Sequence, residues 1–130
     1  METMIRILIV DDQPGEGKCL RLIKFLKENN IQYSIALNLE EAVKKMNSEN
    51  YNCIVLDRYF PEKDGEQANA KAAAKLLKIL EEQERDIPVL LYSFLVKNLN
   101  SDYIKKYMTA WNPNVFQDFL ETSTSWKKKK

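Results

Sequence analysis

Two kinds of apolar run alternate along the chain. Residues 5–10 (IRILIV) form a short block rich in β-branched side chains, as in a strand buried on both faces. Cys19, Leu22, Ile23 and Leu26 then recur at i, i+3, i+4 and i+7, the stripe of a helix that covers one face. Residues 31–37 read as a second strand. Asn38 and Glu41 have the spacing of a capping pair, and Leu39, Ala42, Val43 and Met46 repeat the helical period. A third buried strand follows at 53–56 (CIVL). An Ala-rich helix is expected over 66–83, with Ala68, Ala72, Leu76 and Leu80 on one stripe, and a fourth strand over 89–92 (VLLY). Ile104, Tyr107 and Met108 predict a short helix after Ser101. A fifth strand is expected near 109–111. Pro113 opens a last helix carrying Val115, Phe116, Phe119 and Leu120.

Short unalternating strands joined by helices imply a parallel sheet covered on both sides. Right-handed crossovers make this a three-layer, doubly wound α/β fold with five strands. At 130 residues and 15.2 kDa the chain is one domain's worth. That domain is expected over 1–125, followed by a flexible basic tail at 126–130. There are 20 basic and 19 acidic residues, but four of the basic ones are the terminal lysines 127–130, which leaves the body net acidic. A nucleic-acid surface is therefore not expected. The longest apolar stretch, 87–96, contains Pro88, so no membrane-spanning helix is expected. Asp11 and Asp12 follow the first apolar run with no cleavage-site pattern, and Cys19 and Cys53 are too few for a disulfide scaffold. The expected location is the cytoplasm.

The absence of histidine changes the picture most. It excludes Ser-His-Asp or Cys-His catalysis, His-ligated zinc and a phosphohistidine carrier within this chain. What remains is oxygen chemistry. Three strands end in polar residues: IRILIV runs into Asp11 and Asp12, CIVL into Asp57, and VLLY into Ser93. In a parallel sheet those ends share the carboxyl edge, where open α/β folds bind ligands. Crowded carboxylates repel, and a hard divalent cation such as Mg²⁺ removes that repulsion. In the segment from Asp57 to Gly65, Pro61 fixes a turn and Gly65 permits a positive φ. That loop can fold back with a main-chain carbonyl toward the acidic crevice.

The stretches IRILIVDDQP, NLEEAVKKMNSENYNCIVLD, D-x-x-x-P-x-x-D-G and PVLLYS together resemble the receiver domains of two-component response regulators. The likeness covers nearly the whole chain. It implies a flavodoxin-like sheet of order 2-1-3-4-5. It also implies that Asp57 is the phosphoacceptor. Asp12 would bind Mg²⁺ directly and Asp11 through water, with Asp57 and the backbone carbonyl of Tyr59 as further ligands. Ser93 would hydrogen-bond a phosphoryl oxygen and switch an interaction surface. A histidine kinase or phosphotransfer protein would be the donor, so the chain is not expected to be a turnover enzyme. Receivers commonly pair through the fourth helix, fifth strand and fifth helix, which makes 98–120 the candidate homodimer face. A separate downstream protein or a fused output domain is the expected readout. The chain is either a stand-alone receiver or a piece of a larger protein.

Three positions depart from the pattern, one of them Thr109, which falls where many receivers carry an aromatic switch residue. Receivers usually carry Lys before a Pro at the end of the fifth strand; Asn112 precedes Pro113 here, while Lys105 and Lys106 fall in the expected short helix. Asn supplies no charge for a phosphoryl group. Phe94 follows Ser93 where a small residue is usual, and is expected to narrow access to Asp57. These departures motivate the alternative of a degenerate receiver that docks partners without phosphorylation. A phosphatase of similar fold fits less well, because its first strand carries D-x-D and Asp11 and Asp12 are adjacent. Residues 13–16 lack the hydroxyls of an FMN phosphate loop.

Overall fold

Five strands and four helices make up the computed structural model, which describes residues 4–94 and 99–128, the side chain of Lys18 excepted. They are β1 (Arg6–Val10), α1 (Gly17–Glu28), β2 (Gln32–Ala36), α2 (Leu39–Ser48), β3 (Cys53–Leu56), α3 (Lys71–Glu82), β4 (Val89–Tyr92), β5 (Ile104–Met108) and α4 (Pro113–Ser123). The sheet order is β2-β1-β3-β4-β5 with every pairing parallel, as the doubly wound, flavodoxin-like reading requires. No helix among the described residues is long and apolar enough to cross a membrane.

The central strands carry no polar alternation because both their faces are covered. Leu8, Val10, Ile54, Leu56, Val89 and Leu91 pack beneath α2 and α3, while Ile7, Ile9, Cys53, Val55, Leu90 and Tyr92 pack beneath α1 and α4. The capping pair before α2 forms as expected. Asn38 Oδ1 accepts the Glu41 N–H (2.8 Å), and Glu41 Oε1 accepts the Leu37 N–H (3.1 Å).

Three elements differ from the sequence expectation. α3 starts at Lys71 rather than at 66, because Asn69 Oδ1 accepts the N–H groups of Lys71 (2.9 Å) and Ala72 (3.0 Å) and caps the helix there. Residues 66–70, Ala68 included, belong to the preceding loop. The segment expected as a short helix around Ile104, Tyr107 and Met108 is instead the fifth strand, and 109–111 lies beyond its end. The cause is a bulge. Val89 is opposite Ile104 but Leu90 is opposite Lys106, so Lys105 is an extra residue in the edge strand. The bulge moves Ile104 and Met108 to opposite faces of the sheet and breaks the period of two. What remained in the sequence imitated i, i+3, i+4 spacing.

Consequently no helix lies among the described residues between β4 and β5, and the chain has four helices there rather than five. Residues 95–98, the start of the expected dimer face included, lie outside the described residues. At the other end, packing reaches into the expected tail. The Trp126 ring meets Phe25 edge-on at 6.2 Å, and Lys127 Nζ donates to the Glu121 carbonyl (3.0 Å).

Candidate functional site

The strand order brings distant residues together. β1 and β3 are neighbours at the centre of the sheet, and the ladder runs one residue past each of them. Asp11 N–H donates to the Ala36 carbonyl (3.0 Å), and Asp57 N–H donates to the Val10 carbonyl (3.0 Å). Both carboxylates are thereby fixed on the carboxyl edge. Asp11 Oδ1 also accepts the Gln13 N–H (2.8 Å), and Asp57 Oδ1 accepts the Arg58 N–H (2.7 Å). One carboxylate oxygen from each of Asp11, Asp12 and Asp57 lies within 4.8 Å of the other two. Asp11 is buried and its two companions are half-buried. Even with water-like screening, each pair of charges at that separation costs about 1 kcal/mol. An octahedral Mg²⁺ with bonds of about 2.1 Å holds its ligand oxygens about 3–4 Å apart. The hard, anionic, all-oxygen donor set therefore fits this cation after small side-chain rotations.

The surroundings are built to hold that edge. Ser93, buried at the end of the adjacent β4, donates its N–H to the Met108 carbonyl (3.0 Å). Burial pushes the neighbouring Tyr92 phenol up to about 12; the Arg21 charge pulls it down, while Cys19 and Asp11 add to the rise. Tyr92 therefore stays neutral and adds no charge beside the cluster. The loop after Asp57 is anchored on two helices. Pro61 and Glu62 carbonyls accept the Leu39 and Glu40 N–H groups of α2 (3.0 Å each), and Glu62 pairs with Lys75 of α3. Gly65 adopts the expected positive φ of 83°. Tyr59, two residues past Asp57, lies in this loop with its ring part-exposed beside the Arg58 guanidinium.

No family model matches the sequence, and no curated protein matches it. Solved structures do match. The receiver domain of Francisella response regulator 1452 is 30% identical, with 72% of this chain and 69% of that one covered and a TM-score of 0.55. The response regulator TrrA of Thermotoga maritima, solved in complex with Mg²⁺-BeF, is 27% identical, with 92% and 96% covered and a TM-score of 0.66. This chain belongs to the response-regulator receiver family. TrrA is also solved in complex with the histidine kinase ThkA, a match of 24% identity covering 92% and 97% with a TM-score of 0.66. Receivers of this kind support phosphorelay signalling.

Asn112, expected directly after the fifth strand, does not follow it directly. It lies beyond the end of β5, and its Oδ1 accepts the N–H groups of Asn114 (3.0 Å) and Val115 (3.2 Å) as the N-cap of α4. Pro113 is simply the first helical residue. The residue directly after β5, in the place that Asp57 and Ser93 take after β3 and β4, is Thr109, which is uncharged. Lys106 lies in β5, and its Nζ pairs with Asp118 of α4 at 2.6 Å. Phe94 is 74% exposed. Asn112→Ala should lower stability by about 1 kcal/mol, the usual worth of an N-cap, in urea unfolding. The same variant should match the wild type in labelling by acetyl phosphate; a large loss of labelling relative to the wild type would return Asn112 to the site.

The sequence reading missed Arg58, Asn69 and the loop carbonyls on α2. An Asn at the start of an Ala-rich run was a usable signal for the cap. Nothing local marked Arg58, because its partner Ala70 lies twelve residues away.

Proposed function

We propose that this receiver accepts a phosphoryl group on Asp57 and passes the signal to a protein surface. The convergence of Asp11, Asp12 and Asp57 within 4.8 Å at the carboxyl edge of the sheet carries this reading. Asp11, Asp12 and Asp57, with the backbone carbonyl of Tyr59, would hold Mg²⁺, with Asp12 a direct ligand and Asp11 acting through water. The bound cation supplies charge neutralisation for phosphoryl transfer.

An Asp57 carboxylate oxygen attacks the phosphorus of a phosphohistidine on another protein. A P–O bond forms, the P–N bond breaks, and the electron pair leaves on the donor imidazole. Since this chain has no histidine, the donor is a histidine kinase or phosphotransfer protein. The product acyl phosphate carries about two negative charges, and the Ser93 hydroxyl is its hydrogen-bond donor. The chain is spent by one transfer rather than turning over substrate. The 98–120 stretch is the proposed face for a downstream protein, an output domain or a second copy.

One observation favours a second reading, a degenerate receiver that docks partners regardless of phosphorylation: the residue directly after β5, Thr109, is uncharged and offers the phosphoryl group no cation of its own. Incubation with Mg²⁺ and acetyl phosphate or phosphoramidate separates the two. The acceptor reading expects the mass of one phosphoryl group on the peptide containing Asp57, and Mg²⁺-dependent binding of beryllofluoride. An unlabelled protein that also ignores beryllofluoride leaves the docking reading standing.

A further inference from the structure

We propose that Arg58 is a positioning residue for the metal centre: its buried guanidinium pins the loop from Asp57 to α3, and so fixes the backbone of Tyr59, two residues past Asp57. The inference rests on the function proposed above. Arg58 is 8% exposed, and it is the one buried basic side chain among those described. Burying a cation is costly unless it is paired. Arg58 makes no ion pair among the described residues. Its Nη1 donates to the Ala70 carbonyl, its guanidinium lies 5.5 Å from the Tyr59 ring centre, and its Nε has no hydrogen-bond partner. An apolar side chain would fill the same space at lower cost, so packing alone does not account for a guanidinium here.

The position supplies a reason. Arg58 is held at both ends: its N–H is bound by Asp57 Oδ1 (2.7 Å), and its side chain is bound at the residue before α3. Phe60 and Asn69 close the same neck with an antiparallel bridge, Asn69 N–H donating to the Phe60 carbonyl (3.1 Å). Tyr59 lies between these two ties. Its main-chain freedom is set by them and not by its exposed ring. Releasing Arg58 frees the backbone on the site side of Phe60 while Phe60 itself stays buried. Groups that hold a metal ligand in place are worth about 10- to 100-fold in affinity.

The test uses the full chain in four forms: wild type, Arg58→Met, Arg58→Gln and Arg58→Lys. Met keeps the packing, Gln is a neutral residue too short to reach Ala70, and Lys keeps the charge and a donor. Leu80→Val, in the last turn of α3, is the control for lost stability. Mg²⁺ dissociation constants come from calorimetry, and melting temperatures from calorimetric scans. Arg58→Met and Arg58→Gln should bind Mg²⁺ about tenfold more weakly. Arg58→Lys should recover part of the loss, and Leu80→Val should melt earlier with unchanged Mg²⁺ affinity. If Arg58→Met does not fold, Arg58→Gln carries the measurement. Wild-type Mg²⁺ affinity in whichever of these two folds overturns the positioning role and leaves the phosphoacceptor reading intact. A wild type that binds no Mg²⁺ overturns both.

Discussion

Asp57→Asn should abolish phosphoryl acceptance completely and weaken the response to Mg²⁺. The amide oxygen can still accept the Arg58 N–H, so the local hydrogen bond survives. What disappears is one of three negative charges within 4.8 Å. Added Mg²⁺ should raise the wild-type melting temperature more than the variant's, because only the wild type presents all three anionic ligands. Mass spectrometry after exposure to acetyl phosphate checks the first half; a label persisting in the variant places the acceptor elsewhere. A variant whose melting temperature Mg²⁺ raises as much as the wild type's would mean that Asp57 is not a ligand.

Phe116→Ala should be the most damaging single change in the core. The ring is fully buried in α4, and it meets Phe25 of α1 at 5.3 Å and 87°, the edge-to-face geometry that aromatic quadrupoles favour. It also lies 5.7 Å from Trp111, beyond β5, and 6.5 Å from Phe119. Truncation leaves a cavity where α1, α4 and the end of the sheet meet, at a cost of about 3–5 kcal/mol. Against a total stability of about 5–15 kcal/mol, that loss is severe. Urea unfolding gives the number, and near-ultraviolet circular dichroism of the tryptophans reports the loosened cluster. A cost below about 1 kcal/mol would show that the aromatic cluster contributes little. Phe116→Leu, which retains most of the volume, should cost well under half as much.

Much of this receiver is written locally in its chain. Buried strands at 6–10, 53–56 and 89–92 are legible because a strand covered on both faces has no polar alternation to hide it. The Asn38–Glu41 cap is legible because its partners are three residues apart. Asp11, Asp12 and Asp57 are legible as a cluster because adjacent parallel strands bring their carboxyl ends to one edge whatever the loops do. The sequence alone determined the parallel α/β order, the identity of the three clustered acids and the turn at Gly65.

Only the tertiary structure decided the rest, and in each case the deciding partner was distant or the choice was between local options of similar strength. Ile104, Tyr107 and Met108 fit a helix by spacing, and pairing with β4 across a bulge at Lys105 made them a strand. Asn112 could stand at a strand end or cap a helix; the length of β5 settled that it caps. Asn69 stopped α3 from extending back to 66 by reaching its first N–H groups. Arg58 acquired its place only when the loop closed on Ala70. Local patterns encode which faces are buried, whereas register, caps and loop ties are set by whichever backbone groups the fold brings within reach.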